Sequence, residues 1–122
     1  MGSHPLNLAL RFILEIIALI SAGMWGWRQT DDVWRFLLML GIPLAMAVLW
    51  ATFAVKDDPS RSGKAPVPIP GILRLILELA FFGFAAWALA DMDFVQYGWI
   101  LGIIVFLHYI VSYDRIRWLL SQ

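Results

Sequence analysis

The sequence predicts an all-α integral membrane protein, a four-transmembrane-helix bundle running up-down-up-down with both termini cytoplasmic. Hydrophobic residues fill 61% of its 122 positions and charged residues only 15%, too few to wet a globular surface, and mean hydropathy is +0.78. Four apolar runs, 8–27, 33–55, 72–90 and 95–119, each approach the roughly 20 residues that cross a hydrocarbon core. Short polar turns separate the members of each pair, which forces neighbours antiparallel. None of the runs alternates with period two, so a membrane barrel is excluded.

Met1-Gly2-Ser3-His4 reads as a tag remnant, so residues 1–5 are set aside and 6–122 form one domain. The first run carries Glu15 and ends in Trp25-Gly26-Trp27, not in small residues; it is a retained helix and not a cleaved signal peptide. Gln29-Thr30-Asp31-Asp32 makes the first turn, with Thr30 or Asp31 as N-cap of the second helix. Gly41-Ile42-Pro43 stands mid-way along that helix, where Pro43 frees the carbonyl near Met39 and predicts a bend. Between the two hairpins, Pro66, Pro68 and Pro70 exclude regular helix, and Asp57-Asp58 reads as a solvated turn. Asp91-Met92-Asp93 joins the third run to the fourth.

Seven of the nine Lys and Arg residues fall toward one side: Arg11, Lys56, Arg61, Lys64, Arg74, Arg115 and Arg117. The other side has Arg28 and Arg35 among Asp31, Asp32, Asp91 and Asp93. By the positive-inside rule the first side is cytoplasmic, which makes this a multi-pass protein of the bacterial inner membrane. Trp25, Trp27, Trp34, Trp87, Tyr97 and Trp99 gather near the opposite interface and read as an aromatic belt.

One phrase occurs twice. Leu10-Arg11-Phe12-Ile13-Leu14-Glu15-Ile16 returns 63 residues later as Leu73-Arg74-Leu75-Ile76-Leu77-Glu78-Leu79. Arg and Glu four apart share a helix face, and here that face lies in a hydrocarbon-length run, where charges are costly and turn toward a partner. Because the first and third helices point the same way, the two hairpins form a parallel internal repeat about a pseudo-two-fold axis. Arg N-terminal to Glu is the weaker order for an i,i+4 pair. The expected arrangement is therefore a cross-paired intramembrane cluster in which Arg11 reaches Glu78 and Arg74 reaches Glu15.

His108 comes to a similar depth from the fourth helix and reads as a neutral histidine hydrogen-bonded between helices. Pro43, Trp50, Tyr109 and Asp114 are the other neighbours of such a site: aromatic faces can cover an Arg, and Asp114 is a second partner for Arg11 or Arg74. Arg115 and Arg117 read as an interfacial basic collar.

Several functions are excluded. The chain lacks cysteine, which removes disulfides, thiolate catalysis and iron–sulfur ligation. One histidine outside the tag cannot ligate haem on both faces, and no metal site or other cofactor is expected. There is no phosphate loop, HExxH or nucleophile elbow, so no enzyme is expected. A formal net charge of zero offers nothing to nucleic acid. The expected partners are the lipid bilayer and either a second copy of the chain or another membrane protein.

In order and spacing, Leu10-Arg11-Phe12 with Glu15, Trp25-Gly26-Trp27, Gly41-Ile42-Pro43-Leu44, Trp50 with Phe53, and Arg74-Leu75 with Glu78-Leu79 resemble the YrdB-like family of small four-helix bacterial membrane proteins. The resemblance implies the four-helix fold and no defined activity. Two functional expectations stand side by side. One is a transport or ligand- or ion-binding module using Glu15 and Glu78; the other is a structural or interaction subunit in which the cluster only locks the bundle.

Overall fold

The computed structural model describes residues 4–59 and 64–122; residues 1–3 of the tag remnant and Arg61 of the cytoplasmic charge count lie outside them. The described chain forms α1 (Pro5–Trp27), α2 (Trp34–Thr52), β1 (Phe53–Ala54), β2 (Val67–Pro68), α3 (Gly71–Asp91), α4 (Val95–Val111) and α5 (Tyr113–Leu120). Among the described residues three helices, α1, α2 and α3, are by themselves long and apolar enough to cross a membrane; α4 and α5 reach that length only together, and they are bent by 71°.

The element boundaries differ from the sequence expectation at three places, each for a local reason. α1 begins earlier, at Pro5, in the first turn where its missing N–H is not needed, and His4 caps it, Nδ1 accepting from Leu6 N–H at 3.2 Å. The second run stops at Thr52 because Phe53 and Ala54 turn extended and pair in parallel with Val67 and Pro68. Ile69 N–H then donates to the Ala54 carbonyl at 2.8 Å. The fourth run breaks at Ser112, whose backbone (φ −96°, ψ 30°) leaves the helical region.

Contacts fix the helix directions. Gly26 of α1 faces Leu38 of α2, and Gly23 faces Met39 and Pro43, so these two run antiparallel. Gly98 of α4 faces Ala86 and Ala90 of α3, which closes the second hairpin. Trp25 Nε1 donates to Asp91 Oδ2 at 2.8 Å and Arg11 reaches Glu78, so α1 and α3 are parallel. Small residues permit the close approach: Ala18 and Ala22 of α1 and Ala85 and Ala88 of α3 are fully buried.

The four helices are not equal members of a bundle. α1, α3 and α4 enclose the core, whereas α2 packs chiefly on α1 and has no buried residue. It continues as one helix through Pro43. The Met39 carbonyl, which Pro43 deprives of its helical donor, rests over Gly23, where a Cβ would stand 3.1 Å from that oxygen. Trp34, Trp87, Tyr97 and Trp99 are each more than half exposed, around the helix ends where Trp25 meets Phe84 and Trp87 edge-on and tilted.

At the other end α5 folds back across the start of α3. A Cβ on Gly71 would overlap the Leu119 carbonyl, whereas one on Gly102 would meet nothing within 4 Å. Gly71→Ala should therefore cost about 1–3 kcal/mol, and Gly102→Ala should be neutral or gain up to about 1 kcal/mol from helix propensity. Unfolding of the two variants in detergent micelles checks this; equal losses would contradict the docking of α5.

Candidate functional site

Three helical stripes converge near that end. Asn7, Arg11, Leu14 and Ala18 follow the 3–4 spacing on α1, and Gly71, Arg74, Glu78, Phe82 and Ala85 do so on α3. Val105, His108, Ser112, Arg115 and Leu119 form the third stripe, which carries across the break between α4 and α5. Each stripe turns its polar members inward to the same place.

At its centre is Glu78, with 0% of its surface exposed. Its Oε2 receives Arg115 Nη2 at 2.6 Å and Arg74 Nε at 2.8 Å, and pairs with Arg11 Nη2 at 2.9 Å. Tyr109 Oη donates to Oε1 at 2.7 Å. One carboxylate thus holds three guanidinium groups from three different helices. The Arg74 and Arg115 contacts are charge-assisted hydrogen bonds, the strong class, and Arg11 adds an ion pair; burial sharpens both their strength and the cost of losing one.

Each guanidinium has further work. Arg74 Nη1 donates to the carbonyls of Trp50 at 2.6 Å and Phe53 at 2.7 Å. The Trp50 carbonyl lies in the last turn of α2, whose carbonyls lack intrahelical donors, so Arg74 acts as a C-terminal cap supplied by another helix. Arg11 and Arg74 also sit over the Trp50 ring, 5.1 Å and 4.4 Å from its centroid. Arg115 makes a two-pronged pair with Asp58, Nη1 to Oδ1 at 2.7 Å and Nη2 to Oδ2 at 2.9 Å. Asp57 just before it has φ 62°, a left-handed turn that Asp tolerates, and Asp58 beyond that turn is only 5% exposed.

Arg11 does reach Glu78, but Arg74 turns to Glu78 of its own helix and not to Glu15. Glu15 lies 3.6 Å from Arg11 Nε with its side chain 21% exposed, at the rim of the cluster. The two copies of the phrase are therefore not equivalent. Tyr109, Arg115 and Asp58 gather around the second copy and break the symmetry that seven matching residues suggested. The inner set of three Arg against Glu78 and Asp58 carries one excess positive charge, which Glu15 offsets from the edge. Arg11 Nη1 and Nη2, Arg115 Nε and His108 Nε2 are buried with no hydrogen-bond partner among the described residues.

Two expectations about single residues are corrected. Arg115 is no interfacial collar: it is 6% exposed and bonded to Glu78. Asp58 is no solvated turn carboxylate, because the loop folds back to place it on Arg115. Asp114 is exposed at the start of α5, and its neighbour takes the inner position. Pro43 is absent from the cluster; it lines a groove against α1. His108 is 2% exposed, with Nδ1 at 3.1 Å from Asn7 Oδ1. Asn7 Nδ2 in turn donates to Ser112 Oγ at 2.7 Å. This side-chain chain ties the start of α1 to the α4–α5 break, and neither Asn7 nor Ser112 belongs to the doubled phrase. Their signal was spacing: Asn7 is one turn before Arg11 and Ser112 one turn after His108. Among the described residues no three His, Asp or Glu side chains assemble as metal ligands.

The profile of the family described as "Protein of unknown function (DUF2568)" matches residues 9–106. The chain belongs to the DUF2568 family. A relative called "Uncharacterized protein YrdB", from Bacillus subtilis (strain 168), is 41% identical over 116 residues, covering 95% of this chain and 94% of the relative. No solved structure matches. The DUF2568 match takes in both copies of the doubled phrase and ends before Ser112 and Arg115.

The inequality of the two glutamates is measurable in this DUF2568 chain. Glu78→Gln should cost about 3–5 kcal/mol, because it leaves buried guanidinium charge uncompensated. Glu15→Gln, at the exposed rim, should cost under about 1 kcal/mol. Unfolding in detergent micelles compares them, and equal costs would contradict the asymmetric cluster. Arg115→Met and Asp58→Leu should couple by about 0.5–3 kcal/mol in a double-mutant cycle; additivity would place Asp58 outside the cluster.

Proposed function

We propose that this chain is a multi-pass protein of the bacterial cytoplasmic membrane whose ion cluster locks its helices into a rigid scaffold for a membrane-protein partner or a second copy. The observation that carries this reading is the saturation of Glu78. A carboxylate that takes up protons or cations during transport has to exchange partners, whereas Glu78 has three guanidinium groups and a phenol on it and no exposed surface. A closed charge set suits a lock better than a moving site.

In this reading α1, α2, α3 and α4 cross the bilayer and α5 lies along the cytoplasmic interface. The 17 residues of α4 reach about 25 Å at 1.5 Å each, close to a hydrocarbon core. The 71° bend then turns α5 along the surface, with Tyr113, Arg117 and Leu120 outward and Arg115 held inward. The basic side is cytoplasmic and the exposed tryptophans occupy the opposite interface.

A second reading has one observation in its favour. Glu15 keeps part of its carboxylate surface open, so a ligand- or proton-responsive role falls on Glu15 and not on Glu78. Glu15→Gln separates the two. The lock reading expects a folded variant that still crosslinks to its membrane partner, and the ligand reading expects pH-dependent ligand binding to vanish with the fold intact.

Orientation is tested through the absence of cysteine. With an impermeant maleimide on intact cells, Asp93→Cys should label and Ser121→Cys should label only after permeabilisation. The reverse pattern would overturn the orientation, and labelling of both on intact cells would overturn the even number of spans.

A further inference from the structure

A groove of about 730 Å³ opens between α1 and α2, at the opposite end from the ion cluster. Its walls are Leu19, Gly23 and Trp27 on α1 and Phe36 and Pro43 on α2, and Arg28 is the one charged residue lining it. Its cause is local. Gly23 supplies no side chain where the Met39 carbonyl and Pro43 ring approach, and α2, with no buried residue, leaves its flank open. From Leu19 to Arg28 the groove follows α1 for about 13 Å, a length suited to one acyl chain and ending at a cation.

Arg28 has binding capacity left. Its Nη1 donates to the Met92 carbonyl at 2.9 Å and its Cζ stands 5.1 Å over the Phe94 ring. None of the ion pairs among the described residues involves it, and it is exposed. The remaining guanidinium N–H groups suit a phosphate oxygen. The turn that joins the two walls carries Asp31 and Asp32, both exposed; Asp32 Oδ1 accepts from Trp34 N–H at 2.9 Å. Arg35, in the first turn of α2, lies 3.8 Å over the Trp27 ring and donates its Nε to the Trp27 carbonyl at 3.3 Å. Two carboxylates and two guanidinium groups make a charge-balanced rim, which suits a zwitterionic headgroup, with an N–H donor cation next to its phosphate, better than a purely anionic one.

Resting on the membrane reading above, we propose that this groove binds a phospholipid with a primary-amine headgroup. One acyl chain lies between Gly23 and Pro43, the phosphate meets Arg28, and the ammonium faces Asp31 and Asp32. A quaternary ammonium headgroup has no N–H to give these carboxylates, and a glycerol headgroup has no cation.

The test is lipid retention. The full chain is reconstituted in nanodiscs containing phosphatidylethanolamine, phosphatidylcholine and phosphatidylglycerol in equal amounts, released into mild detergent, and weighed by native mass spectrometry. One phosphatidylethanolamine should remain per chain, preferred roughly tenfold, the effect of about one charge-assisted hydrogen bond. Arg28→Gln should lower retention of all three lipids. Asp31→Asn with Asp32→Asn should remove the preference for the amine and leave phosphatidylcholine unchanged. Ile20→Trp, at a lining position more than half exposed, should block the groove without disturbing the core. Equal retention of the three lipids, a preference for phosphatidylglycerol, or retention indifferent to Ile20→Trp would overturn the proposal. Carbonate extraction of membranes separates the two levels: a chain released by carbonate fails the membrane reading itself, while one that stays inserted and selects no headgroup fails only the lipid site.

Discussion

The constraint on which the fold depends is the burial of one carboxylate. Glu78 sits at the meeting point of α1, α3 and the α4–α5 break with none of its surface exposed, and a charge so placed is tolerated only when paired and hydrogen-bonded. Arg11, Arg74 and Arg115 answer that demand from three helices, and Tyr109 takes the remaining oxygen. Each guanidinium then imposes a condition of its own. Arg74 caps the end of α2, Arg115 draws the central loop inward through Asp58, and Arg11 shares the Trp50 face with Arg74. The turn of α2 into β1 and the return of the loop are thus coupled to one charge through short bonds.

The same coupling explains the shape of the cluster-side end. A straight continuation of α4 would carry Arg115 away from α3, but the break at Ser112 brings α5 back over Gly71. Ser112 is itself held by Asn7, which also bears on His108. Asn7, Ser112 and His108 form one polar layer and the charge cluster the next. At the opposite end aromatic packing and the side-chain bonds Trp25 to Asp91, Arg28 to Met92 and Arg35 to Trp27 do the joining. The molecule is therefore tightly knit at one end and comparatively open at the other, where the α1–α2 groove lies.

How far this could be read in the sequence depended on whether helical spacing encoded it. The apolar runs and the i,i+4 charges inside them made Arg11, Arg74 and Glu78 legible. The unequal roles of Glu15 and Glu78 were not legible, because identical local phrases look alike until the partners from α4 and α5 arrive. Asp58 stands in a Pro-rich stretch where nothing periodic marks it as inward, and only the tertiary return of the loop buries it. The break at Ser112 has no Gly or Pro within four residues to announce it. Its one trace is the spacing of His108, Ser112, Arg115 and Leu119, a stripe more polar than a lipid-facing run would carry.

Whether Glu78 truly organises the three guanidinium groups is tested most directly by changing its sign of influence. Arg11→Met would be measured by unfolding in detergent micelles, first alone and then in a Glu78→Leu background. Alone, it should destabilise, since it removes a partner from a buried charge. With Glu78 already replaced, the same change removes a buried cation left only with the rim carboxylate of Glu15 and should restore stability, an opposite sign of effect. Losses that simply add across the two backgrounds would contradict the account, because Arg11 would then owe its place to something other than Glu78.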